Sequence, residues 1–169
     1  MRTSLLSSLL LPVLTACLLA GCSPTYNWRD YNSPDAPYQA MFPDKPVSHK
    51  RSVDLDGLNV DMTMTAAQID GTVFAIGSAE APDAAKAQAA VAAMRTAMVK
   101  NIGATVTREE KKASSIDIDA KGAQNGTPMR LVGHFEARGN RVYQVIVMGK
   151  EKAVPQQEVD MFLSSFKPN

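Results

Sequence analysis

Two histidines and a scatter of carboxylates are the residues of this chain whose types could do acid–base or metal chemistry. His134 alternates with Arg130 and Glu136 in one apolar–polar run, which puts the three on one strand face. That face could line a small polar pocket or stand as a partly solvated surface. Asp117 and Asp119 share a strand face in the same way, and as a catalytic pair they would need a cleft around them. His49 is remote from His134, and neither has a metal-ligand spacing. Asp54-x-Asp56-Gly57 begins like a calcium loop, but Leu58 and Asn59 stand where such a loop needs its third acid and its glycine, so the segment reads as a β-turn. No serine after Cys22 lies in Gly-x-Ser-x-Gly, and Gly122 to Pro128 lacks the Gly-Lys-Ser/Thr of a phosphate loop. These readings lead to an expectation of no enzyme and no metal or other cofactor.

The elements that must position these residues belong to an ordinary globular chain. It has 169 residues, 45% of them apolar and 21% charged, which suits one domain. Lys and Arg total 18 against 17 Asp and Glu, and Arg2 is the only charge before Cys22, so a chain starting at Cys22 is balanced. A nucleic-acid binder needs a basic excess to neutralise phosphates, so no nucleic-acid partner is expected.

Residues 1–21 read as an export signal. Met1-Arg2-Thr3 is followed by an apolar stretch from Leu5 to Ala20 that is interrupted by Pro12 and is too short for a membrane span. Leu19-Ala20-Gly21-Cys22 resembles the processing box of bacterial lipoproteins. That resemblance implies a diacylglyceryl thioether on Cys22, cleavage before it, and acylation of its new amino group. It makes Cys22 the lipid attachment site and the membrane a partner through acyl chains. Cys17 falls in the discarded segment, so no thiol would remain for a disulfide, a metal or a nucleophile. Ser23 follows Cys22, where lipoproteins kept in the inner membrane typically carry Asp, and this implies an outer-membrane location facing the periplasm.

Residues 22–37 carry three prolines and many turn residues without a helical or strand period, so they read as a flexible tether. The fifteen residues from Ser23 could extend about 50 Å, or average roughly 20 Å as a coil. Tyr26, Trp28 and Tyr31 are unusual in a tether. They are either a candidate interaction surface, as an interfacial anchor or binding arm, or rings packed on their own domain.

A single domain is expected over 38–169. Tyr38 to Phe42, Val47 to Leu55, Leu58 to Ala66 and Thr72 to Gly77 read as strands, with Asp56-Gly57 and Asp70-Gly71 as hairpin turns. Asp83 is a plausible N-cap and Gly103 a plausible C-terminal stop for a helix bearing the stripe Ala87, Val91, Met94, Met98 and Ile102. Thr105 to Lys112 is charged and β-branched, as an edge strand should be. Alternating runs around Ile116 to Ala120 and Met129 to Phe135 flank the Asn125-Gly126 turn, and Pro155 opens a last helix with Val159, Phe162, Leu163 and Phe166 on one side. Val142 to Met148 is apolar on both faces, which places it inside a sheet covered on both sides. The expected fold is α+β: a mainly antiparallel sheet of six to eight strands with a helix on each face.

Tyr38-Gln39-Ala40-Met41-Phe42-Pro43-Asp44-Lys45-Pro46 is similar to the F-x-V-x-F-P-G-K-P opening of many small exported bacterial proteins, with Asp44 where the pattern has Gly. Together with the Gly139-Asn140-Arg141-Val142-Tyr143 turn and strand and the closing Phe162-Leu163-Ser164-Ser165-Phe166-Lys167, the layout over residues 38 to 168 resembles the PsbP-like superfamily. That superfamily includes the Ran-binding Mog proteins and DcrB-type envelope lipoproteins. The resemblance implies an αβα sandwich that serves mostly as a binding or assembly module, with no shared catalytic set. The expected function is therefore a non-catalytic envelope lipoprotein that binds or organises a protein partner. A periplasmic small-ligand carrier and a hydrolase with an unrecognised site are the alternatives.

Overall fold

The structure, a computed structural model, describes residues 25–169. Cys22 and Ser23 lie outside the described residues. Ten strands and two helices follow one another: β1 (Arg29–Asn32), β2 (Tyr38–Phe42), β3 (Val47–Leu55), β4 (Leu58–Ile69), β5 (Thr72–Glu80), α1 (Ala84–Asn101), β6 (Thr105–Lys111), β7 (Ser115–Gln124), β8 (Thr127–Arg138), β9 (Arg141–Lys150), α2 (Gln156–Ser165) and β10 (Lys167–Pro168). Seven strands form one sheet in the order β3-β4-β5-β9-β8-β7-β6, and β1-β2-β10 form a second, smaller sheet. Every pairing is antiparallel. The chain is of the α+β class, mostly antiparallel β.

Turn chemistry sets the hairpins. Asp56 and Gly57, Asp70 and Gly71, and Asn125 and Gly126 all take positive φ, the conformation a two-residue hairpin loop demands. The helix signals also hold. Asp83 Oδ1 accepts from the Lys86 amide at 2.8 Å at the start of α1, and Gly103, at φ +54, follows its end.

The central strand β9 divides the core. Val142 and Ile146 join a cluster with Ala87, Ala90, Val91 and Met94 of α1. Tyr143, Val145 and Val147 join a second, aromatic-rich cluster with Phe42, Phe74, Val159 and Phe162. Val145 is 0% exposed and Ile146 4%, so both faces of this strand are dry. The charged strand β6 is an edge, as its composition requires, and the polar β3 is the other.

The segment expected as a flexible tether is instead largely part of the fold. Residues 29–32 pair with β2, from Arg29 opposite Phe42 to Asn32 opposite Gln39. Tyr26 and Trp28 stack with centroids 6.3 Å apart, and both meet Phe74 edge-on, at 6.2 and 6.0 Å. Tyr31 meets Phe42 edge-on at 5.4 Å. These rings supply the burial that an Arg-Asp-Tyr-Asn strand lacks by itself. The folded unit therefore begins by Tyr26, ahead of the boundary expected at residue 38.

Candidate functional site

The polar residues singled out in the sequence come together on the β7–β8 hairpin. The Asn125-Gly126 turn pairs Gln124 with Thr127, and the register then sets Asp117 opposite His134. Facing residues of an antiparallel pair project to the same side, so Asp117, Asp119, Arg130, His134 and Glu136 share one face. It is the face whose inner part packs on Val159 and Phe162, since Val132 of the same alternating set lies against that cluster.

Two half-buried knots result. His134 Nδ1 lies 2.6 Å from Asp117 Oδ1, and its Nε2 lies 3.2 Å from Glu136 Oε2. Arg138 reaches the other Glu136 oxygen at 3.3 Å, and Lys112 lies 3.6 Å from Asp117. Beside them Arg130 donates from Nε and Nη2 to the two oxygens of Asp119, at 3.1 and 2.6 Å, and from Nη2 to Gln156 Oε1 at 2.7 Å. This fork is the strong, planar form of an ion pair. The Asp119 carboxylate, by its hydrogen bonds, holds the Arg130 guanidinium still further above its ordinary value.

Between the hairpin and α2 runs an open groove of about 290 Å³, lined by Arg108, Glu110, Asp117, Asp119, Arg130, Val132, Gln156, Asp160 and Leu163 among others. Its lining mixes both charges with a short apolar strip. A larger depression, about 430 Å³, lies along the small sheet and is lined by Asp30, Tyr31, Gln39, Met41, Ser165 and Lys167 among others. Ser165 Oγ there accepts from the Met41 amide and donates to the Phe162 carbonyl, so it is held as a structural clasp.

His49 is placed on the edge strand β3, opposite Met64 and exposed, with β4, β5 and β9 between it and the strand of His134. The Asp54-x-Asp56-Gly57 segment is a turn in which an Asp54 oxygen accepts from the Gly57 amide. Among the described residues, no three His, Cys, Asp or Glu side chains form a group able to hold a metal ion. Among them, too, no helix is long and apolar enough to cross a membrane. Tyr26, Trp28 and Tyr31 are half-buried against their own domain. The contributions of Arg108, Gln156 and Asp160 to the groove were not visible in the sequence, because β6 and α2 approach the hairpin only through the tertiary fold.

No protein-family model matches the chain, and no curated protein is detectably similar to it. Among solved structures it is similar to a crystal structure from Bacteroides thetaiotaomicron VPI-5482, with a TM-score of 0.43 and 12% identity over 83% of this chain. The chain spans about half, 48%, of the length of that protein.

Proposed function

We propose that this protein is a lipid-anchored envelope module that binds a protein partner and catalyses no reaction. The observation that carries the reading is the mutual pairing of the charged groups on the β7–β8 hairpin, in and beside the groove. Both His134 nitrogens face carboxylates, and Nε and Nη2 of Arg130 are taken up by Asp119 and Gln156. A general base or an anion-binding arginine needs a free face toward its substrate. Groups locked to one another instead make a fixed pattern of charge, the kind that selects a partner and sets its register. The open groove, with charged walls and Leu163 in its lining, suits a polar segment of another protein.

The lipid anchor rests on Leu19-Ala20-Gly21-Cys22, and the outer-membrane location on Ser23. The finer architecture proposed is the PsbP-like αβα sandwich, with a helix on each face of the large sheet. It is supported by the alternation along β9, whose successive side chains join the cluster of α1 and the cluster of α2 in turn.

A photo-crosslinking residue placed at Leu163 or Arg108 in intact envelopes tests the binding role. A discrete protein adduct, absent when the same residue replaces Gln88 on α1, is the expected result. A small molecule retained by the purified protein in native mass spectrometry, with no adduct, would replace this reading by the ligand carrier. For the anchor, Cys22→Ala should abolish incorporation of a palmitate analogue, and label persisting on that variant would refute the attachment site.

A further inference from the structure

We infer that one end of the large sheet, the end carrying the Asp70-Gly71 and Asn125-Gly126 turns, is held flat against phospholipid headgroups; this rests on the reading of Cys22 as the lipid attachment site. The argument is one of chain length. Tyr26 is already packed, stacked on Trp28 and edge-on to Phe74, while Trp28 donates to Glu158 at 3.0 Å. Only four Cα–Cα steps separate Cys22 from Tyr26. They reach about 14 Å at most. A strand of the large sheet, such as the 12-residue β8, is about 40 Å long at the usual rise. A leash so much shorter than the body it holds leaves no room for the domain to stand clear or to tumble. It fixes which end faces the bilayer.

The entry point identifies that end. Phe74 lies near the start of β5, just after the Asp70-Gly71 turn, and pairs with Val147 near the close of β9. The Asn27 amide donates to the Pro43 carbonyl, just before β3 begins at the exposed Val47. Strand register places the start of β8 at the same end, since Met129 pairs with Lys150.

The surface there suits phosphates. Lys45, Lys100, Lys150 and Lys152 are exposed and take no ion pair among the described residues, while Lys121 is joined to Glu151 at 2.6 Å. Of the carboxylates there, Glu151 is engaged by Lys121 and Glu158 by the Trp28 indole, and the exposed Asp70 of the turn still leaves these four lysines in excess. Lysines beside a bilayer are attracted by anionic headgroups.

The test uses the full processed protein purified from membranes. Gln124→Cys and Arg138→Cys, at opposite ends of the β7–β8 region, each receive a spin label. Each protein is reconstituted in mixed phosphatidylethanolamine–phosphatidylglycerol vesicles containing a nickel-chelating lipid. The label at 124 should relax several-fold faster than the label at 138, and a long Gly-Ser insertion after Ser23 should erase the difference. Intact mass separates the two ways of failing. Acylated protein with equal relaxation at both positions, or faster relaxation at 138, overturns the orientation and leaves the anchor standing. Protein without acyl mass on Cys22 overturns both.

Discussion

Trp28 donates its indole N–H to Glu158 in the first turn of α2, a bond of 3.0 Å that joins residues 130 positions apart. With the Tyr26 ring stacked on it and the Phe74 ring edge-on to both, it makes the N-terminal arm a strap across the aromatic half of the core. Trp28→Ala should cost roughly 2–3 kcal/mol, less than a fully buried ring because part of it stays wet. A chain beginning at Ala36 loses all three rings and β1, and should melt about 10 °C or more below the chain that keeps them. Equal melting temperatures by calorimetry would mean that the arm merely rests on the surface.

Much of this architecture could be read before folding, and the reason is local. Asp-Gly and Asn-Gly turns fix hairpin register, and from the Asn125-Gly126 turn alone Asp117 falls opposite His134 by counting equally along both strands. The helix stripe ending at Ile102 and the two-faced β9 were legible because burial has a period. The strand β1 was not. Arg29, Asp30 and Asn32 are exposed, and it exists because β2 offers a free edge and Tyr31 finds Phe42. The groove was half legible. Its hairpin wall follows from register, whereas Gln156 and Asp160 arrive on a helix whose docking no local pattern specifies.

The Arg130–Asp119 fork is mostly enclosed, the two side chains being 16% and 25% exposed. It therefore lies between surface pairs, worth about 0–1 kcal/mol, and buried pairs, whose breakage costs about 3–5 kcal/mol. Asp119→Asn should destabilise by about 1–3 kcal/mol, and Arg130→Met by a similar amount. The double variant should lose clearly less than the sum, because removing the second partner relieves a stranded polar group. Strict additivity in urea unfolding would show that the two side chains do not depend on each other.

Tyr38 is packed against Tyr31, Tyr143 and Phe166, and burial pushes its phenol up to about 12. The unfolded phenol ionises near its ordinary value of about 10. Between the two values the unfolded chain has released a proton that the folded chain still holds, so stability is complete below about pH 10 and falls toward pH 12. Tyr38→Phe should flatten that alkaline decline. It should not abolish it, because burial also raises Tyr143 and Tyr26. An unchanged slope of unfolding free energy between pH 10 and 12 would place the alkaline sensitivity elsewhere.

Gly122 lies in β7 directly under the turn that carries α1 into β6. A Cβ at this position would come 2.6 Å from the Ile102 carbonyl oxygen and 2.9 Å from the Ala104 Cα. Both neighbours are backbone, so no rotamer change can relieve the clash. The turn is itself held by short bonds, from the Gly103 amide to the Lys100 carbonyl at 3.1 Å and from the Ala104 amide to Val99 at 2.9 Å. Gly122→Ala should therefore cost about 1–3 kcal/mol by lifting the end of α1 off the sheet. Gly126→Ala is the matched comparison, because a Cβ there meets open space and the strain comes only from its φ of +76. That substitution should cost about 1 kcal/mol without touching the helix. Hydrogen exchange separates the two: the Gly103 and Ala104 amides should exchange faster in Gly122→Ala and keep their protection in Gly126→Ala. Equal protection of those amides in both variants would mean that the end of α1 does not depend on the missing side chain beneath it.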